Sequence, residues 1–253
     1  MIFSSRSQGW KNMTNFFVLL LGEIKRLQRY NILSASAVVA LLWIGVLYLT
    51  ELPDITFIFP MLIYVDATSM AILMVGVTIF FEKQEGSLHT LLVTPISKLD
   101  YLLNKSIITV ASSVITLTIL YLYVVIFKEI DMSFLGLLGA VILVALFHSL
   151  VGFLLTYNSR DFTALLINMM KYMFIFMIPV LLEYMQIIQQ DIVEAILYIA
   201  PTKAAMILLY APAGETELWE IVYALGYLGI GSIILFIFVL KRFEQFAVSE
   251  SGV

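Results

Sequence analysis

Two ionisable side chains lie in stretches that are otherwise apolar enough to make charge costly. Asp66 is the one carboxylate well inside a long hydrophobic run, and His148 sits beside Ser149 in another. A carboxyl group at such depth needs water, a counter-charge or a partner. Asp66 is thus a candidate member of a solute pathway; the competing reading places it near the outer end of a segment broken by Pro60, in reach of external water. For His148 an interhelical hydrogen bond is expected ahead of a proton relay. Counted along their runs, the two residues fall at different depths and are not expected to pair.

A third group lies between two apolar runs, in the stretch EKQEGSLHTLLVTPISKLDYLLN that begins at Glu82. Glu82, Glu85 and Gly86 come first, and Leu88, Leu91 and Leu92 then recur on one helical face. Such a pattern suits docking: leucines enter an apolar groove while carboxylates make peripheral ion pairs. The alternative is a solvated loop with an interfacial helix. Pro95 should end this helix near Val93. Ser97 with Asp100 three residues later matches a capping box that restarts helix.

Catalytic patterns are missing. The sequence has no Gly-x-x-x-x-Gly-Lys-Ser/Thr loop for nucleotide phosphates, no His-Glu-x-x-His and no Gly-x-Ser-x-Gly. With no Cys there are no disulfides or thiolate metal sites. A net charge of -4 offers no basic field to a nucleic acid backbone.

The elements that must hold these residues follow from composition. Of 253 residues, 62% are hydrophobic and only 13% charged, and the mean hydropathy is +1.02. A soluble domain carries about 25% charged residues, so an all-α polytopic membrane protein is expected. A bilayer core of ~30 Å needs about 20 apolar residues per helix. Six stretches qualify: Asn31 to Thr50, Ile55 to Phe81, Lys105 to Phe127, Met132 to Tyr157, Leu165 to Leu182 and Trp219 to Leu240. The apolar segment from Ile192 to Tyr210 is interrupted by Glu194, Pro201 and Lys203 and reads as two short external or re-entrant helices. No cleavable leader is expected, because Glu23, Lys25 and Arg26 follow the short apolar run Phe16 to Leu21.

Met13 to Tyr30 places Phe16, Phe17, Leu20, Leu21, Ile24 and Leu27 opposite Lys25, Arg26 and Arg29, an amphipathic helix suited to the membrane surface. With the N-terminus inside, only Lys128 and Lys203 of the 14 Lys and Arg fall outside, so both termini are expected in the cytoplasm. The acidic outer side, which includes Glu183 and Glu220, either attracts cationic solutes or is simply solvated. Met169, Met170, Met173 and Met177 suit lipid contact or an adaptable apolar route. Gly226, Gly229 and Gly231 suit close helix packing. The whole chain reads as one six-span domain, residues 1 to 253.

The loop resembles the first cytoplasmic loop of type 2 ABC exporter permeases. Their pattern of an acidic residue, Glu, Gly, Thr and a Leu-Leu-x-x-Pro run is matched at Glu82, Glu85, Gly86, Leu91, Leu92, Pro95 and Lys105, with Ser87 in place of Thr. The surface helix before the first span resembles the connecting helix of that family. Pro179 and the run Ile199 to Ala205 are similar to the branch of fluoroquinolone exporters. Many members carry Ser-Gly and then Pro after the fifth span, where this chain has Leu181, Leu182, Glu183 and Tyr184.

The resemblance implies a permease in the cell membrane that moves an amphipathic drug, peptide or lipid-like solute outward. It would pair with a second permease chain, identical or paralogous, and dock two cytosolic subunits that bind ATP and magnesium. The coupling loop would carry Glu82, Glu85, Gly86, Leu88, Leu91, Leu92 and Pro95. No cofactor is expected in the chain itself. The rival is a proton-coupled secondary transporter using Asp66 and His148.

Overall fold

Long apolar runs with few interruptions must satisfy their backbone polar groups internally, and in a bilayer only helices do so segment by segment. The computed structural model describes residues 18–50, 55–87, 97–214 and 216–249, and among these there are helices and no strand. They are α1 (18–29), α2 (Ile32–Leu49), α3 (Ile58–Gln84), α4 (Lys98–Phe127), α5 (Phe134–Tyr157), α6 (Phe162–Tyr172), α7 (Ile178–Tyr184), α8 (Asp191–Leu197), α9 (Pro201–Tyr210) and α10 (Leu218–Ser249). A π-helical turn, Met173–Met177, joins α6 to α7 as one span. Five helical segments are long and apolar enough to cross a membrane: α3, α4, α5, α6 with α7, and α10. α2 supplies the remaining apolar run, its 18 residues giving a length of about 27 Å.

Local sequence signals explain the helix starts. The Ser97 hydroxyl accepts from Asp100 N–H at 3.0 Å, as its spacing implies. Ser133 and Asp161 cap α5 and α6 in the same way. Pro60 does not break α3. It falls in the first turn, where no helical N–H is needed. Later in the chain, Pro179 lies just after the π turn and supplies no N–H donor there.

α3 and α5 form the centre and run parallel. A Cβ on Gly152 would come within 3.0 Å of the Ile72 backbone, and one on Gly76 would overlap Leu165. These glycines, not the expected Gly226 and Gly229, permit the closest approach; around those two a Cβ would meet nothing within 4 Å. Gly231 is the member of that trio that packs tightly, against Phe147.

At the end of the bundle opposite α1, α8 and the helical segment starting at Pro201 are bent by 96°, matching the expected pair of short helices. The break needs partners for its carbonyls. Tyr223 and Tyr227 of α10 donate to Tyr198 O and Ile199 O. Lys203 pairs with Glu183 at 2.7 Å, tying α9 to α7.

Candidate functional site

At the α1 end, three elements meet through buried charge. Glu82, from the last turns of α3, is 3% exposed, and Lys105 of α4 is also 3% exposed. Lys105 Nζ lies 3.0 Å from Glu82 Oε1 and 3.3 Å from Glu23 Oε1 of α1. Arg26 pairs with both carboxylates, and Tyr101 donates to Glu82 Oε2 at 2.6 Å. Two cations therefore balance two anions, with Lys105 and both carboxylates buried and Arg26 partly exposed, and both oxygens of Glu82 are hydrogen-bonded. Such a group holds together only because each charge has its partner.

The expected apolar stripe of α1 is divided by this packing. Val18, Leu21 and Ile24 are exposed, whereas Glu23 and Leu27 face the bundle and are buried. Leu21 and Ile24 of the expected apolar stripe are thus left for lipid while Leu27 packs inward beside Glu23, and the inward face is mixed. Glu23, Arg26 and Tyr101 were not among the expected site residues. Glu23 carried one usable signal, standing one helical turn from Leu27 and three residues from Arg26.

Glu82 and Lys105 also flank the loop. Gly86 follows the C-cap Glu85 of α3, and its φ of +68° is a conformation that favours glycine. Its N–H reaches Lys83 O at 3.1 Å. Glu85, beside it, is 3.9 Å from exposed Arg29. Partial burial and then this carboxylate raise the Tyr30 phenol above its ordinary pKa. Leu88, Leu91, Leu92 and Pro95 lie outside the described residues.

A second feature opens beside this network. α2, α3 and α4 enclose a crevice of about 310 Å³. Tyr30 stacks on Phe81 at 4.3 Å at one end. Asp66 lines it further along α3, 4% exposed, and accepts from Trp43 Nε1 of α2 at 3.1 Å. Asp66 therefore does not sit in external water as the Pro60 reading had it. Met70 and Met74 of α3 are the methionines of this space. In the fifth span Met170 is exposed, whereas Met177 is buried and its sulfur receives the Thr68 and Ser69 hydroxyls.

His148 is fully buried, with Nδ1 2.8 Å from Val144 O of its own helix and Nε2 without a partner among the described residues. Its ring meets Tyr172 edge-on. The contact of Ile72 with Gly152 places Asp66 near the level of Leu146, close to His148 in height. The expected difference in depth therefore disappears. The two remain apart because Asp66 turns to α2 and His148 to Tyr172. No group of three His, Cys, Asp or Glu fit for a metal occurs among the described residues.

Comparison with known proteins adds to this geometry. Residues 14–251 match the fluoroquinolones export permease protein family. The chain is similar to the fluoroquinolones export permease proteins of Mycobacterium tuberculosis strains CDC 1551 and ATCC 25618. Each is 25% identical over 243 residues, covering 95% of this chain and 100% of the relative. No solved structure matches the chain at a significant level.

Proposed function

Since the chain belongs to the fluoroquinolones export permease protein family, we propose that it is the membrane-spanning subunit of an ATP-driven exporter of the type 2 ABC class. Two such chains, or this one and a paralogue, would enclose a route for amphipathic solutes of drug, peptide or lipid-like type. Two separate ATP-binding subunits would hold ATP and magnesium and dock on the loop from Glu82 to Pro95. The distribution of Lys and Arg supports a cell-membrane protein with both termini in the cytoplasm.

The observation that carries this reading is the buried network of Glu82, Lys105, Glu23 and Arg26. Helices on either side of the loop are locked to each other and to α1 at the loop's base. A displacement of the loop by a partner therefore moves α1, α3 and α4 as a unit, because close-packed, fully paired groups shift between discrete arrangements and do not stretch. The crevice lies between α3 and α4 and α2, so the same movement changes its shape. The chain supplies lever and path, and nucleotide hydrolysis belongs to the partners.

Tagged chain purified in mild detergent from its host should bring down an ATP-binding subunit in stoichiometric amount, identified by mass spectrometry. A proton-coupled carrier is the second reading, favoured by the buried Asp66 in the crevice. Transport in ATP-free vesicles that Asp66→Asn abolishes would select it.

A further inference from the structure

We propose that the crevice between α2, α3 and α4 is a binding site for cationic amphipathic amines, with the Asp66 carboxylate as their counter-charge. This deepens the export-permease reading and rests on it for its place in transport.

The polarity of the lining selects the charge of the ligand. Among the described residues Asp66 is the single charged one around the crevice, and no Lys, Arg or His joins it. Its hydrogen-bond donor among the described residues is the neutral indole of Trp43, so the carboxyl group is oriented and no cationic side chain of the lining stands beside it.

Three of the lining hydroxyls donate their proton to their own helix. Ser36 donates to Ile32 O at 3.1 Å, Thr109 to Lys105 O at 2.9 Å and Thr116 to Ser112 O at 3.3 Å. A hydroxyl has one proton and two lone pairs. With the proton committed to its own helix, each oxygen has lone pairs left to accept a ligand proton. The polar part of the crevice is therefore rich in acceptors. It favours a ligand with positive charge and N–H groups, and it penalises an anion.

The remaining lining fixes the rest of the ligand. Met70, Met74 and Phe81 give an apolar and adaptable wall. A volume of about 310 Å³ lies at the small end of the ~300–1,000 Å³ range of drug-sized sites. One or two fused rings with a short aminoalkyl arm fill it, the rings toward Phe81 and the ammonium toward Asp66.

Full-length chain in phosphatidylcholine nanodiscs, with protein-free nanodiscs to subtract lipid partition, can be titrated with radiolabelled propranolol, a protonated aryl alkylamine. Saturable binding of one molecule per chain is expected, displaced by unlabelled propranolol and not by an equal concentration of 2-naphthoate. Asp66→Asn, which keeps an acceptor for Trp43, should weaken binding at least tenfold. Ser112→Phe, which fills the crevice, should remove it. If Asp66→Asn does not fold, Ser112→Phe and the order of competitors decide. Absence of saturable binding, equal displacement by 2-naphthoate, or unchanged affinity in either folded variant overturns the proposal. The assay contains no ATP and no partner. A chain that binds propranolol yet recovers no ATPase keeps this site and refutes the exporter assembly; the reverse result refutes the site alone.

Discussion

Lys105 Nζ and Glu82 Oε1, 23 positions apart in sequence, lie 3.0 Å apart with both side chains almost fully buried. Glu82 stands in the last turn of α3 and Lys105 two turns into α4, so the ion pair ties together the helices on either side of the loop. Removing one partner strands the other charge, which in a buried pair costs about 3–5 kcal/mol. Glu82→Gln should therefore lower the melting temperature of the detergent-purified protein clearly, and Glu82→Gln with Lys105→Met should recover part of the loss. A single variant that melts like the wild type would show that the network carries no stability.

Leu91→Asp with Leu92→Asp should abolish co-purification of an ATP-binding subunit while leaving the melting temperature unchanged. Helical spacing in the sequence assigns both residues to one apolar face, and a carboxylate forced into an apolar groove is strongly disfavoured. Undiminished transport by this variant refutes the docking role.

Glu85→Ala tests the loop base without disturbing the core. Its contact with Arg29 is 3.9 Å long and largely solvent-exposed, and exposed pairs contribute about 0–1 kcal/mol. Expression and melting should stay near wild type while transport falls. Equal losses of expression and transport would assign Glu85 to folding.

Gly152→Ala should destabilise the bundle, because the added methyl meets backbone atoms of Ile72 at 3.0 Å and overpacking costs about 1–3 kcal/mol. Gly226→Ala, whose methyl meets nothing within 4 Å, should melt within error of the wild type. Equal behaviour of the two variants would disprove the close packing of α3 on α5.

The helix inventory is legible in the amino-acid order because it depends on neighbours along the chain. Apolar runs of sufficient length place the spans, although α4 begins at Lys98, seven residues before the expected Lys105, at the start that Ser97 with Asp100 marks. The break around Pro201 is readable for the same reason. A Pro read only by type misleads at Pro60, where its position in the first turn removes its effect.

What the tertiary structure alone decided is which faces meet. Hydropathy assigns the leucines of α1 to an apolar stripe, yet Glu23 turns inward, where it meets Lys105 of α4. Asp66 is equally mute in sequence: its indole partner is Trp43 on another helix, and its crevice is bounded by three. Spans and caps arise from interactions within a few residues, so the sequence by itself determines them. Ion pairs, crevices and glycine contacts join residues from different helices, and they exist only once packing has set the rotation and height of each helix.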